Sequence, residues 1–165
     1  MVEDVARRLR RLEDRAAIHD LVARYALAVD DHDYAALQGM YAADAVFRHA
    51  GAVLRGREAI VAFLQERAHL NGKTVHTPHT VVIDWVDDDT ARGTVTGHAE
   101  IERGGEFLVA AFRYDDTYVR GEGAWKFQER TTKFRYVAPV DALKELFRSP
   151  LTVRWPGTDP VPGEW

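Results

Sequence analysis

The sequence predicts a single α+β domain in which helices come first and a meander of long strands follows. In the first third of the chain, apolar residues recur every three or four positions, as on one face of an amphipathic helix. After Gly72, segments rich in β-branched and aromatic residues alternate with short glycine or aspartate turns, which indicates consecutive hairpins. The chain has 165 residues and 46% of them are hydrophobic, which is enough for one buried core. Helices followed by strands are typical of the α+β class.

The first element is a long helix that runs through the N-terminal region. Residues 2–15 are rich in arginine, glutamate, alanine and leucine and continue the helical pattern. The apolar stripe that follows consists of Ile18, Leu21, Val22, Tyr25 and Val29. We expect this helix to end near residues 30–33, where Asp31 or Asp33 can cap a second, short helix.

Shorter elements precede the long strands. They are a helix over residues 34–41, a strand over residues 45–48, an extended piece between Gly51 and Gly56, and a helix over residues 57–68. The long strands are predicted over residues 74–86, 90–102, 106–120 and 125–137. Three short polar or glycine-containing breaks separate them, so the strands pair antiparallel with their neighbours in sequence.

The C-terminal region has a different composition. Residues 155–165 hold three of the six prolines and two tryptophans, Trp155 and Trp165. We therefore expect a single domain over residues 1–145, followed by an extended tail over residues 146–165. The tryptophans predict that this tail packs on another surface, for which a neighbouring subunit is one option.

Composition excludes several classes of function. The chain has no cysteine, so disulfides, thiolate zinc sites and cysteine nucleophiles are excluded, and its single serine, Ser149, makes a Ser-His-Asp hydrolase a poor candidate. A net charge of −4 without a basic stripe argues against nucleic-acid binding. No run approaches the length of a membrane span, and residues 1–15 are charged throughout, so we expect a cytoplasmic protein with no membrane partner.

Asp30 is the first candidate for chemistry. It follows Tyr25 and Val29 at the end of the long helix, where the negative end of the helix dipole and partial burial both raise a carboxyl pKa. A raised pKa suits a general base. The alternative interpretation is a solvated aspartate in an acidic turn that ends the helix.

His76 and His79 form a His-x-x-His pattern around Pro78. Two histidines at this spacing suggest a metal, but a strand interrupted by proline need not present both rings to one side, and no third ligand is spaced nearby. We therefore expect no metal site here. The alternatives are one catalytic histidine paired with a distant carboxylate, or a purely structural histidine.

Further candidates lie inside the predicted strands. His98 is placed where it either lines a pocket or faces outward. Arg113, Arg130 and Arg135 are arginines in half-buried strands, and one that points inward must find an anion or a polarised oxygen.

Several of these segments together resemble SnoaL-like proteins of the nuclear transport factor 2-like superfamily. The resemblance rests on residues 15–21 followed by Tyr25 and Asp30, and it extends over roughly residues 10–140. Its other segments are Val75-His76-Thr77-Pro78, Val81-Val82-Ile83-Asp84 and Tyr118-Val119-Arg120-Gly121-Glu122-Gly123-Ala124-Trp125-Lys126-Phe127. The resemblance implies a cone, in which a curved, mostly antiparallel sheet wraps around three N-terminal helices and encloses one deep pocket.

Within that superfamily the chain resembles most the branch of scytalone dehydratase, hexachlorocyclohexane dehydrochlorinase and bile acid 7α-dehydratase. Asp30 and His76 fall on the positions of the branch's catalytic dyad, Tyr25 matches a tyrosine of the bile acid enzyme, and Arg130 matches a strand arginine of the dehydrochlorinase. Two other polar residues of the branch are not kept here. For substrate binding we expect a set of pocket residues, namely Tyr41, Phe47, His98 and Arg135.

The resemblance implies a lyase that needs no cofactor and eliminates water from a hydrophobic cyclic molecule, such as a steroid or a polyketide. His76 would be the base, oriented by Asp30, while Tyr25 and Arg130 would assist the leaving oxygen. One alternative is an isomerase or aldol cyclase in the same pocket. Another is a ligand-binding protein without catalysis, which a separation of Asp30 and His76 above about 6 Å would favour.

The resemblance also implies an oligomer. Members of the dehydratase branch are usually trimers, and other members of the superfamily are dimers. We expect a homotrimer, with a dimer as the alternative, and the outer sheet face and the tail from Trp155 to Trp165 are the natural assembly surfaces.

Overall fold

The computed structural model describes residues 2–165, so Met1 lies outside the described residues. The elements follow the predicted order of helices first and long strands second. They are α1 (Val2–Asp30), α2 (Tyr34–Met40), β1 (Tyr41–His49), β2 (Ala52–Arg55), α3 (Arg57–Ala68), β3 (Thr74–Trp85), β4 (Thr90–Arg103), β5 (Glu106–Gly121), β6 (Ala124–Pro139) and a 3₁₀ segment (Val140–Arg148).

The turns explain why the long strands begin and end where the sequence predicts. Gly104 and Gly105, between β4 and β5, both have positive φ, 63° and 81°. Glu122 and Gly123, between β5 and β6, have φ of 54° and 79°. Two consecutive residues with positive φ form the tight turn whose twist matches that of antiparallel strands. The predicted meander of four long strands is therefore confirmed.

The six strands form one curled sheet that does not close into a barrel. Their order is β2-β1-β6-β5-β4-β3, and β1 and β6 are parallel while the other neighbours are antiparallel. Helix α1 packs against β3, and α3 packs against β1. The predicted α+β class is confirmed, and the helices on the sheet create the space in which a pocket can lie.

The second half of α1 carries the core face of the helix. Ile18, Leu21, Val22 and Tyr25 are buried, as the predicted apolar stripe requires. The first half is also helical, but Leu9 and Leu12 do not reach the core and are 55% and 65% exposed. The helical prediction is therefore confirmed over both halves, whereas the first half contacts the sheet through the polar side chains of Arg11 and Asp14.

The C-terminal residues return to the sheet of their own chain. The expected extended tail over residues 146–165 begins inside the 3₁₀ segment, so its first residues are helical rather than extended. Val153 then forms a parallel bridge with Val137 of β6 and an antiparallel bridge with Val161. No helix in residues 2–165 is both long enough and apolar enough to cross a membrane.

Candidate active site

The end of α1 and the start of β3 meet at Asp30 and His76. The Asp30 Oδ1 atom lies 2.6 Å from His76 Nδ1, and Oδ2 accepts a hydrogen bond of 2.7 Å from the His76 backbone N–H. The Thr74 hydroxyl donates to Oδ1 over 2.8 Å. The chain makes this contact possible by reversing directly after Asp30, where His32 has a φ of 56° and Asp33 caps α2 by accepting from the Ala36 N–H.

These hydrogen bonds set the charge of Asp30. Partial burial raises the pKa of this carboxyl, but the bonds from His76 and Thr74 and the proximity of the imidazole outweigh burial, so the pKa lies below its ordinary value. The expectation of a raised pKa at Asp30 is therefore wrong, because the helix end places the carboxylate among donors. An ionised Asp30 requires the proton on Nδ1 of His76, which leaves Nε2 as the basic nitrogen.

His76 lies in the wall of a cavity of about 290 Å³ between the helices and the sheet. The greater part of the wall is apolar and aromatic, with Val29, Phe47, Leu64, Ile101, Phe112 and Phe134 among the lining residues. Tyr25 and Phe47 line this cavity as expected. No aspartate or glutamate belongs to the lining in the part of the chain that the structure describes, since Asp30 lies behind His76.

Arg130 does not reach the cavity. It is fully buried, and its Nε and Nη2 atoms donate to the two carboxylate oxygens of Asp116 over 2.8 and 2.7 Å. Its Cζ atom lies 4.3 Å from the ring centre of Tyr25 and 4.1 Å from that of Tyr114, both of which line the cavity. The expected direct contact of Arg130 with a substrate is therefore wrong, because these aromatic rings lie against the guanidinium.

Three of the expected substrate-binding residues are also outside the cavity lining. Tyr41 is fully buried and packs against Tyr25 at a ring distance of 6.2 Å. His98 is exposed on the outer face of the sheet, where its Nδ1 lies 2.8 Å from His79 Nε2. Arg135 stacks on Trp165, with Cζ 5.4 Å from the ring centre, and donates to the Glu164 carbonyl. Binding of substrate by these three side chains in this cavity is wrong.

The geometry of the strands explains why His98 and Arg135 do not line the cavity. In β4 the buried positions are Ala91, Gly93, Val95, Gly97, Ala99 and Ile101, so His98 faces outward. In β6, Arg135 falls at a register shift where its neighbours Phe134 and Tyr136 pair with adjacent residues of β5. The same geometry separates His76 from His79, because the two residues are three positions apart in β3 and alternation places the first ring inside and the second outside.

The cavity contains polar residues that the sequence patterns did not single out. They are His32, Tyr34, His49, Arg67, Asn71, Thr74, Arg103, Tyr114, Thr132 and Thr158. One signal for Arg103 was present, since it continues the row of alternate inward positions of β4. Comparable signals existed for His49, which continues the inward row of Ala45 and Phe47 in β1, and for Arg67, which lies at helical spacing after Ile60 and Phe63 in α3.

His49 is the second histidine of the cavity and differs from His76 in its surroundings. Its ring lies among Phe47, Phe63 and Phe134, and its Nδ1 is buried without a hydrogen-bond partner among the described residues. Burial, with Arg67 and then His76 nearby, lowers the pKa of His49 to about 4. His49 is therefore neutral at neutral pH and can offer one donor and one acceptor to a bound molecule.

Solved structures of other proteins share this fold. A protein described as a candidate scytalone dehydratase from Novosphingobium aromaticivorans is 21% identical over 79% of this chain and 89% of that chain, with a TM-score of 0.73. The hexachlorocyclohexane dehydrochlorinase LinA-type3 from Novosphingobium barchaimii is 22% identical over 82% and 95%, with a TM-score of 0.74. An NTF2-like protein from N. aromaticivorans is 29% identical over 80% and 88%, with a TM-score of 0.68.

The sequence was also compared with curated proteins and with family models, and the two comparisons differ. No curated protein sequence matches the chain. The family model of the SnoaL-like domain, however, matches residues 10–131, which include both Asp30 and His76. With the curled sheet, the three helices and the cavity between them, this match shows that the chain belongs to the SnoaL-like family of the nuclear transport factor 2-like superfamily.

Proposed function

We propose that this protein is a lyase that works without a cofactor and eliminates water from a cyclic, mostly apolar small molecule. The observation that carries the proposal is the Asp30–His76 pair, whose 2.6 Å contact lies at the wall of an apolar cavity. Two relatives of the same fold are named as a dehydratase and a dehydrochlorinase, which agrees with an elimination. The contact also argues against the alternative of a protein that only binds ligands.

In the proposed step, His76 Nε2 removes a proton from a carbon next to a carbonyl group. The electron pair of that C–H bond forms a C=C bond, and the bond to the hydroxyl on the neighbouring carbon breaks. Asp30 holds the ring and stabilises the imidazolium that forms, as the carboxylate of a catalytic dyad does. The leaving oxygen takes a proton from the Tyr25 hydroxyl and departs as water, and the proton held on His76 Nε2 then restores the Tyr25 hydroxyl.

Tyr25 is the group that we propose to assist the leaving oxygen. It lines the cavity, and Arg130 lies against its ring with Cζ 4.3 Å from the ring centre. Arg130 is therefore a positioning residue in this mechanism, since it acts through Tyr25 and Tyr114 rather than on substrate. The apolar walls exclude water from the developing charge, which strengthens these electrostatic interactions.

The size of the cavity bears on the substrate. Its volume of about 290 Å³ is just below the range of roughly 300–1,000 Å³ that is typical of ligand pockets. A compact ring system with few polar groups is the class of molecule that fits this volume and these walls.

An isomerase or aldol cyclase is the second candidate, and one observation favours it. Of the two groups expected to assist a leaving oxygen, Arg130 is buried behind aromatic rings, so only Tyr25 lines the cavity. An isomerisation needs the same base without an acid for a leaving group. The two candidates share proton removal by His76 and differ in whether the product has lost water.

The experiment separates proton removal from elimination. Purified protein in D₂O is given 1-tetralone, and deuterium uptake next to the carbonyl is followed by mass spectrometry; 3-hydroxy-1-tetralone is then tested for loss of water. We expect His76→Ala to lower the exchange rate at least about 100-fold, the usual contribution of a positioned base. The matched control is His79→Ala, which removes an outward-facing ring of the same strand and should not change the rate.

The outcomes assign the function. Exchange together with water loss supports the lyase, and exchange with an isomeric or cyclised product supports the second candidate. If wild-type protein exchanges no faster than His76→Ala, the proposed base is wrong.

A further inference from the structure

Two arginines line the cavity apart from the Asp30–His76 pair. Arg67 lies in the last turn of α3, and Arg103 is the last residue of β4. Both are partly buried. Among the described residues neither guanidinium has a carboxylate within 4.0 Å, in contrast to Arg130, which pairs with Asp116. Two guanidinium groups without a carboxylate therefore face one apolar cavity, where their N–H donors are open to a bound molecule.

Aromatic rings contact these two guanidinium groups without neutralising their charge. Arg103 Cζ lies 4.9 Å from the ring centre of Trp155, and Arg67 Cζ lies 5.1 Å from that of Phe63. Stacking uses the flat face of a guanidinium and leaves the N–H donors at its edge free. Burial and the charge of Arg67 both lower the pKa of Arg103, which places the two positive charges near each other.

Acidic residues lie next to Arg67 and Arg103 in the sequence but do not form ion pairs with them. Glu66 and Glu102 are the chain neighbours of Arg67 and Arg103, and both are exposed. Asp30, which lies behind His76, is hydrogen-bonded to His76 and Thr74. The cavity of a protein with a net charge of −4 thus has a positive end and no acidic lining residue in the described part of the chain.

We propose that Arg67 and Arg103 form an anion-binding subsite, and that the molecule bound in the cavity is an apolar ring carrying a carboxylate or phosphate group. That this molecule is a substrate rests on the proposed function, whereas its binding to the two arginines does not depend on catalysis. Each guanidinium presents N–H donors in a planar fork that matches the oxygens of either anion. The anion would face the positive end of the cavity, and the ring would occupy the apolar part next to His76.

Binding of three matched probes tests the subsite. They are 2-naphthoate, 2-naphthyl phosphate and the neutral 2-naphthamide, titrated into wild-type protein at pH 7 and low salt by calorimetry or ligand-observed NMR. We expect at least one anion to bind about tenfold tighter than the amide, which corresponds to one strong charge-assisted contact. Which anion binds more tightly identifies the group that the natural ligand carries.

Substitutions test whether the preference for anionic probes depends on Arg67 and Arg103. We expect Arg67→Gln/Arg103→Gln to reduce the preference to about twofold or less, since both charges are removed. The matched control is Arg55→Gln/Arg92→Gln, which removes the same charge from two exposed arginines outside the cavity and should keep the preference. The cavity variant should unfold close to the wild-type temperature, because neither arginine has a carboxylate partner to lose and only the stacking on Trp155 and Phe63 is weakened. If it does not fold, Arg103→Gln alone should lower the preference by about threefold.

The outcomes of this test are independent of catalysis. Equal affinity of wild type for all three probes overturns the subsite, and so does an equal loss of preference in the cavity variant and in the control. If His76→Ala keeps the preference while tetralone exchange is absent in every form, the subsite stands and the proposed lyase falls.

Discussion

Asp30 binds His76 at two points at once: one carboxylate oxygen lies 2.6 Å from the ring Nδ1, and the other accepts a 2.7 Å hydrogen bond from the His76 backbone N–H. The two residues are 46 positions apart in the sequence. This double contact fixes both the position of the ring and its tautomer, because an ionised carboxylate beside Nδ1 requires a proton there. It also joins the end of α1 to the start of β3 at the wall of the cavity.

Asp30→Asn should abolish proton removal without disturbing the fold. The amide can donate to Nδ1, which would move the ring proton to Nε2 and leave no base in the cavity. We expect deuterium exchange into 1-tetralone to fall roughly 100-fold or more, and the ¹⁵N shifts of His76 to report the change of tautomer. Asp31→Asn, an exposed neighbour with the same change of charge, is the control. Unchanged exchange in Asp30→Asn would show that Asp30 does not set the state of His76.

His49 should make the protein less stable as the pH falls from about 6.5 to about 4. Its pKa is lowered to about 4 in the folded protein from an ordinary value of 6.5, so the unfolded chain takes up the proton first. The free energy of unfolding therefore decreases through this window, by about 3 kcal/mol at most for this one group, and is unaffected by His49 above it.

Urea unfolding at a series of pH values measures this effect. His49→Gln should remove most of the slope between pH 4 and pH 6.5, whereas His19→Gln, at an exposed position of α1, should leave it unchanged. Parallel curves for wild type and His49→Gln would contradict the lowered pKa. Arg67 and His76 are the charged or titratable groups that contribute to this shift besides burial.

The buried pair of Asp116 and Arg130 should be costly to break on one side. Asp116→Asn leaves the Arg130 charge buried without compensation, and we expect the free energy of unfolding to fall by about 3–5 kcal/mol. The control is Asp115→Asn, which disrupts the half-exposed pair with Lys133 and should cost about 1 kcal/mol or less.

A double replacement separates loss of charge balance from loss of packing. Asp116→Leu/Arg130→Met removes both charges, and it should be less destabilising than Asp116→Asn because no charge is left unpaired. Chemical denaturation of the three variants is the measurement. A double variant that is less stable than Asp116→Asn would show that guanidinium packing between Tyr25 and Tyr114, together with the hydrogen bond from the Tyr118 hydroxyl to Asp116, matters more than the unpaired charge.

Asp14 should anchor the middle of α1 to the turn end of the sheet. Its Oδ1 accepts from Arg120 Nη2 over 2.6 Å and from Trp125 Nε1 over 3.0 Å. Burial raises the pKa of Asp14, but these donors outweigh it and the pKa is lowered. Asp14→Ala should therefore cost about 1–3 kcal/mol in denaturation, the range for leaving buried donors unpaired, whereas Asp20→Ala on the exposed face of α1 should cost less than 1 kcal/mol. Equal costs would show that the Asp14 contacts do not hold the helix.

Helices and strands were predictable because their signals are local. The spacing of Ile18, Leu21, Val22 and Tyr25 is that of one helical face, and all four are buried. The turns at residues 104–105 and 122–123 require positive φ, which glycine supplies at three of the four positions, while Glu122 adopts it as well. In β1 the prediction was too short, because the pairing of Tyr41 with Phe127 belongs to a parallel strand that lies far away in sequence.

The candidate site was predictable only in part. Asp30 and His76 were brought together by their resemblance to a family pattern, since nothing within residues 28–33 or 74–80 specifies a contact across 46 positions. Alternation along β4 held enough information to place His98 outside and Arg103 inside. The side of β6 on which Arg135 lies depends on a register shift, which no local pattern reveals.

Composition and periodicity thus account for the α+β order of elements, for the absence of cysteine chemistry and for the candidate set of acids, histidines and arginines. The tertiary structure decides which of these groups face the cavity. His76, His49, Arg67 and Arg103 face it, whereas His98 and Arg135 do not. The physical reason is that secondary structure depends on neighbours within a few residues. Burial and pairing of a polar side chain depend instead on strand register and on contacts between distant segments, which arise only when the sheet curls around the helices.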